Sequence, residues 1–154
     1  MIEGVSVTPL KRILHDKGDI YHAMKCSEES FYSFGEAYFS SVHYADVKGW
    51  KKHSKMILNL VVPIGAIKFV AYDGREDSKT YESFFEITIS KDNYCRLTVP
   101  AGVWLSFQGV DKELNLLLNL ASIEHDPDES VSCSIESIDY NWSISDISCD
   151  RVLS

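Results

Sequence analysis

The 154-residue chain is 45% apolar and 25% charged, the mix of a single globular domain with its own core. At this length folding buries about 70% of the surface the unfolded chain exposes, so neither metal nor disulfide staples are required. Fifteen Lys and Arg against twenty-three Asp and Glu leave a formal charge of −8, which excludes nucleic-acid or anionic-membrane binding driven by bulk attraction. No apolar run approaches the ~20 residues that span a bilayer, and no basic stretch followed by an apolar one opens the chain, so the expected location is cytoplasmic. Cys26, Cys95, Cys133 and Cys149 are scattered. Without CxxC or zinc-ligand spacing they are expected as free thiols.

In chain order, residues 27–33 are the one early helical candidate, with Ser27 as cap and Glu28 and Glu29 in the first turn. Short apolar or alternating runs then predict strands over 37–42, 57–62, 67–72, 84–89, 95–99, 103–107 and 114–120. Pro63-Ile64-Gly65, Asp73-Gly74, Asp92-Asn93 and Pro100-Ala101-Gly102 supply turn chemistry between them. Ile67, Phe69 and Ala71 alternate with Lys68 and Val70, so one face of that strand is expected in the core. Leucines 114, 116, 117, 118 and 120 permit a helix, but the intervening Asn115 and Asn119 and the neighbouring strands favour a strand. Regular short strands with turns every ten residues or so predict an all-β sandwich or barrel. A single domain over 1–142 and a Ser- and Asp-rich tail over 143–154 complete the chain; Ile144 and Ile147 suggest a short helix there.

Five segments then occur in a specific order: "GVSVTPL…DKGDIYHAMK", "FGEAYFSSVHYADVKGWKKH", "GAIKFVAYDGREDSKTYESF", "LTVPAGVWLSF" and "ESIDYNW". This series resembles the dTDP-4-dehydrorhamnose 3,5-epimerases, especially a shorter related branch with a "K-A-W-H-x-H" motif. The resemblance runs colinearly from about Ile2 to Trp142. It implies a cupin-like β jelly roll, commonly a homodimer with exchanged N-terminal strands, and a cofactor-free reaction on a nucleotide-linked 4-keto-6-deoxyhexose. A proton α to the C4 ketone leaves one face and returns on the other. That chemistry needs a base working near neutral pH, which favours His. It also needs a cation or donors at the enolate oxygen, a separate acid opposite, and Lys or Arg for the diphosphate.

Matched residue by residue, Lys48 stands at a phosphate-contacting position and Lys17 where the family carries Arg. The base position reads Lys51, while His53 retains the second His of the branch motif. Leu105 replaces the His of "GxxHGF", Glu36 stands where Gln is common, and Ser122-Ile123-Glu124-His125 offers no counterpart to the acid tyrosine. Met56, Ile57 and Leu58 bring apolar side chains to a stretch that is polar in the family. Trp50 and Trp104 are candidates to pack the base or sugar. The charges at Asp46, Glu124, Asp126, Asp128 and Glu129 read as solvated loop residues, and Lys51 and Leu105 break the His set of a cupin metal site, so no metal is expected.

Two functions follow. In one, the chain keeps the fold of deoxysugar or surface-polysaccharide biosynthesis enzymes but has lost their chemistry, and acts in binding or assembly. In the other it is an active divergent epimerase in which Lys51, His53 or both move the proton. An apolar plug of Met56, Leu58, Trp104 and Leu105 would favour the first; an open polar cavity would favour the second.

Overall fold

The computed structural model describes residues 1–144. Strands β1 (Ser6–Pro9), β2 (Arg12–Ile13) and β3 (Ile20–Tyr21) precede β4 (Glu36–Val42), β5 (Val47–His53), β6 (Leu58–Ile64) and β7 (Ala66–Tyr72). There follow β8 (Phe84–Ser90), β9 (Cys95–Val99), β10 (Trp104–Gly109), β11 (Asn115–Ala121) and β12 (Ser130–Ser132). Short 3-10 turns at Pro127–Glu129 and Ile135–Ser137 are the helical elements among the described residues. Two five-stranded antiparallel sheets, β1-β9-β6-β11-β4 and β12-β5-β10-β7-β8, face one another, and β2-β3 forms a separate hairpin. The all-β, cupin-like jelly-roll class expected from the sequence is the class found.

Each expected strand is present, and strand alternation explains which side chains lie between the sheets. Leu58, Leu60, Val62, Leu97 and Val99 of the first sheet pack against Ile67, Phe69, Ala71, Ile89 and Leu105 of the second. In β11 the odd positions Asn115, Leu117, Asn119 and Ala121 are buried while Leu116, Leu118 and Leu120 are half-buried. The two asparagines are thus inward-facing polar residues, and each is hydrogen-bonded. Gly65 has φ +79°, and a Cβ there would lie 2.2 Å from the Leu114 carbonyl oxygen. The turn after Pro63 therefore admits only glycine. Gly102 is likewise left-handed at φ +87°.

The expected helix over 27–33 does not form. The segment makes separate turns, with Glu28 N–H donating to Lys25 O and Phe31 N–H to Glu28 O. Seven residues nucleate a helix poorly, and here the side chains are drawn to Arg96. That guanidinium is fully buried and reaches Glu28 at 2.6 Å, Ser30 Oγ at 2.6 Å and Ala23 O at 2.6 Å.

Asp73 is not merely a turn former. Its buried carboxylate accepts five hydrogen bonds, from Arg75 N, Nε and Nη2, Ser78 Oγ and Thr80 Oγ1. The Arg75 bonds, reinforced by the two hydroxyls, outweigh the upward push of burial and hold the Asp73 carboxyl well below the usual carboxylate range. Cys26, Cys95 and Cys133 are free thiols; Cys149 and Ile147 lie outside the described residues. Among the described residues no helix is long and apolar enough to cross a membrane.

Candidate active site

At the end of the sandwich where β4 and β11 face β5 and β10, the sheets part around a cavity of about 410 Å³. That is within the size range of small-ligand sites. Tyr38, Ser40, Leu58, Leu60, Leu117 and Asn119 line it from one sheet. Lys48, Lys51, His53, Leu105, Phe107 and Ser132 line it from the other. Lys51 and His53 share strand parity, so β5 directs both side chains inward.

His53 is buried, and its Nδ1 bonds Glu129 Oε1. Glu129, at the end of the 3-10 turn, lies there because β12 pairs with β5 and sets Ser130 opposite His53. The second carboxylate oxygen accepts the backbone N–H groups of Lys55 at 3.0 Å and Met56 at 3.1 Å. Burial pushes the Glu129 carboxyl up, but the His53 bond and these two amides outweigh it and leave the group below its ordinary value. A carboxylate so held fixes the imidazole tautomer with the proton on Nδ1, leaving Nε2 as the proton acceptor on the cavity side.

On the facing wall, Asn119 and Tyr38 are cross-strand partners. Asn119 Oδ1 accepts the Asn59 backbone N–H at 3.3 Å, which orients the amide so that Nδ2 donates to the Tyr38 phenol oxygen at 3.0 Å. Lys48 Nζ, at the rim, donates to Ser40 Oγ at 3.2 Å and Ser41 O at 2.9 Å. An ammonium has three donors, so one remains.

Of the residues singled out from sequence, Lys48, Lys51 and His53 meet in the cavity. Trp50 borders it, but its fully buried ring is held on the other face of the sheet. There Nε1 donates to Ile135 O at 3.2 Å and the ring packs on Trp142 at 5.8 Å. Trp104 lies outside the lining, under the Lys52 ammonium at 4.7 Å from its centroid. Lys17, in the turn of the β2-β3 hairpin, is not part of the cavity. The envisaged plug is absent as a unit: Met56 belongs to the core, while Leu58 and Leu105 form apolar wall beside open space. Among the described residues no cluster of three His, Cys, Asp or Glu could hold a metal.

Residues 19–154 match the family model described as dTDP-4-dehydrorhamnose 3,5-epimerase. The chain belongs to that family. The epimerase-family chain is similar to the dTDP sugar isomerase of Desulfovibrio desulfuricans G20, with TM-score 0.90 and 35% identity over 96% of each chain. It is 27% identical to the spore coat polysaccharide biosynthesis protein SpsL of Bacillus subtilis, over 92% of this chain and 97% of that protein. The fold also matches dTDP-6-deoxy-D-glucose-3,5-epimerase of Legionella pneumophila, with TM-score 0.82, 16% identity, and coverage of 94% and 81% of the two chains. The chain is thus of a nucleotide-sugar epimerase family with members in polysaccharide biosynthesis.

Against this family background two groups escaped sequence reading. Glu129 sits in an acidic run that looks solvated, and only the β12–β5 pairing reveals that it meets His53. Tyr38 belongs to none of the matched motif positions; the parity it shares with Ser40 on β4 is the signal that it faces the cavity.

Proposed function

We propose that this chain is an active epimerase of nucleotide-linked 4-keto-6-deoxyhexoses, with His53 as its base. The observation that carries the reading is the buried His53–Glu129 pair on the wall of an open cavity. A histidine held this way is oriented for proton abstraction, and the carboxylate stabilises the imidazolium that results.

In the reaction, His53 Nε2 takes the proton α to the C4 ketone. The C–H electron pair becomes the enolate double bond and negative charge moves onto the C4 oxygen. Lys51, whose ammonium has no protein partner among the described residues, supplies the positive charge for that oxygen. Its role shifts from the base expected by motif position to an electrophile beside the base. The remaining Lys48 donor at the rim suits a phosphate oxygen. Leu58, Leu60, Leu105 and Leu117 suit the methyl group that distinguishes a 6-deoxy sugar. The Legionella protein of the same fold was solved with dTDP-4-keto-L-rhamnose, which supports a ligand of this class.

The exposed apolar groups Leu14, Ile20, Tyr32, Phe34 and Phe39 support a homodimer. Exchange of the N-terminal segment would carry Lys17 to the second copy's cavity. The functional test is conversion of dTDP-4-keto-6-deoxyglucose to its epimers by wild type and His53→Gln, followed by NMR. Epimers from wild type alone support the reading. No epimers from wild type, with tight ligand binding, would favour the binding or assembly role.

A further inference from the structure

We propose that Tyr38 is the proton donor opposite His53, recruited from β4; this rests on the epimerase reading of the same cavity. Inversion at carbon needs two groups on opposite faces of a planar enolate, because a single base returns the proton to the side it came from. His53 projects from β5 in one sheet and Tyr38 from β4 in the other, and both line the same cavity. No other tyrosine lines it among the described residues.

The hydrogen-bonding around Tyr38 gives it polarity as well as position. Asn119 Nδ2 donates to the phenol oxygen, so an acceptor site of that oxygen is occupied and its own O–H stays available toward the ligand. Asn119 cannot present its carbonyl instead without losing the bond from Asn59 N–H. Asn59 is in turn held by Thr98 Oγ1 at 2.7 Å. Asn119 is therefore a positioning residue for a phenol that would otherwise rotate freely. The segment after β11 contributes no tyrosine, and the β4–β11 pairing substitutes one from the adjacent strand.

In the step itself the enolate electron pair forms a new C–H bond with the Tyr38 proton on the face away from His53. The O–H bond breaks and leaves a phenolate. Tyr38 is 42% exposed, so water reprotonates it while the imidazolium returns its proton to solvent. No co-reactant is consumed.

Partition between exchange and inversion tests this directly. Wild type, Tyr38→Phe, Asn119→Ala and His53→Gln are incubated in D2O with dTDP-4-keto-6-deoxyglucose. Loss of the C3 and C5 proton signals and appearance of epimers are followed together by NMR. Tyr38→Phe is expected to keep deuterium uptake within about 10-fold of wild type while epimer formation falls about 100-fold or more. Asn119→Ala is expected to lower the epimer-to-exchange ratio in the same direction, a shift that general loss of structure does not produce. His53→Gln should lose both signals. A wild-type ratio in Tyr38→Phe overturns the tyrosine assignment alone. Absence of exchange and epimers in wild type overturns the epimerase reading and this assignment with it.

Discussion

Replacing Glu129 by glutamine separates the carboxylate's structural duty from its chemical one. In the native chain one carboxylate oxygen holds His53 Nδ1 and the other accepts the Lys55 and Met56 amides. A glutamine has one acceptor oxygen and one NH2 group. Keeping the two backbone bonds turns the NH2 toward Nδ1, which then must accept. The imidazole is driven to the tautomer with its proton on Nε2, the nitrogen that should take the substrate proton. Inverting the tautomer of a catalytic histidine lowers kcat by about 10⁴ where geometry is otherwise kept, so a fall of about 10³–10⁴ is expected. Stability should drop by only about 1–2 kcal/mol, because the backbone acceptor survives. Glu129→Ala removes the acceptor for both amides and for the imidazole. The Met56 amide and the imidazole are the buried groups left unpaired, and at about 1–3 kcal/mol each the change should cost roughly 2–6 kcal/mol. Urea unfolding gives the stabilities and turnover of the 4-keto nucleotide sugar gives the rates. A Glu129→Gln protein that is folded and turns over at the wild-type rate would refute the tautomer reasoning.

Lys51→Met should slow deuterium exchange by about 10²–10³ if its ammonium meets the developing enolate, with the urea midpoint nearly unchanged because the side chain lines the cavity and has no protein partner among the described residues; an unaffected rate removes Lys51 from the step. Asp73→Asn should destabilise the fold by about 2–3 kcal/mol near neutral pH, since a buried charge receiving five bonds is lost. The sign of its pH dependence follows from a folded value depressed below 3.8: the unfolded chain protonates first as pH falls. The stabilisation is full above about pH 4–5 and is lost as pH drops through the folded value. The gap between wild type and Asp73→Asn should therefore narrow between pH 6 and pH 2.5 in urea unfolding; a constant gap would refute the assignment.

The strands were legible because apolar alternation and turn dipeptides are local signals. Gly65 and Gly102 adopt the left-handed backbone their Pro-containing turns suggested. The 27–33 segment misled because its cap-like Ser27 and early glutamates fit a helix start, while the force that decides it is a buried Arg96 nearly seventy positions away. The site divides the same way. Lys51 and His53 lie two apart on one strand, so parity brought them together, while Lys48, of opposite parity, joins them through the register shift of β5 against Leu105 and Phe107. Trp50 was misplaced because the opposite sheet face is covered by Ile135 and Trp142, which no local pattern announces. Glu129 and Asn119 act on partners 76 and 81 residues away, and only tertiary pairing reveals them.

The most direct measurement is the time course of C3 and C5 proton loss from dTDP-4-keto-6-deoxyglucose in D2O, run with wild type and His53→Gln. Uptake of solvent deuterium by wild type and none above background by a folded His53→Gln is the result expected. Equal uptake by both proteins, or none by wild type, would contradict a proton-moving histidine in this cavity.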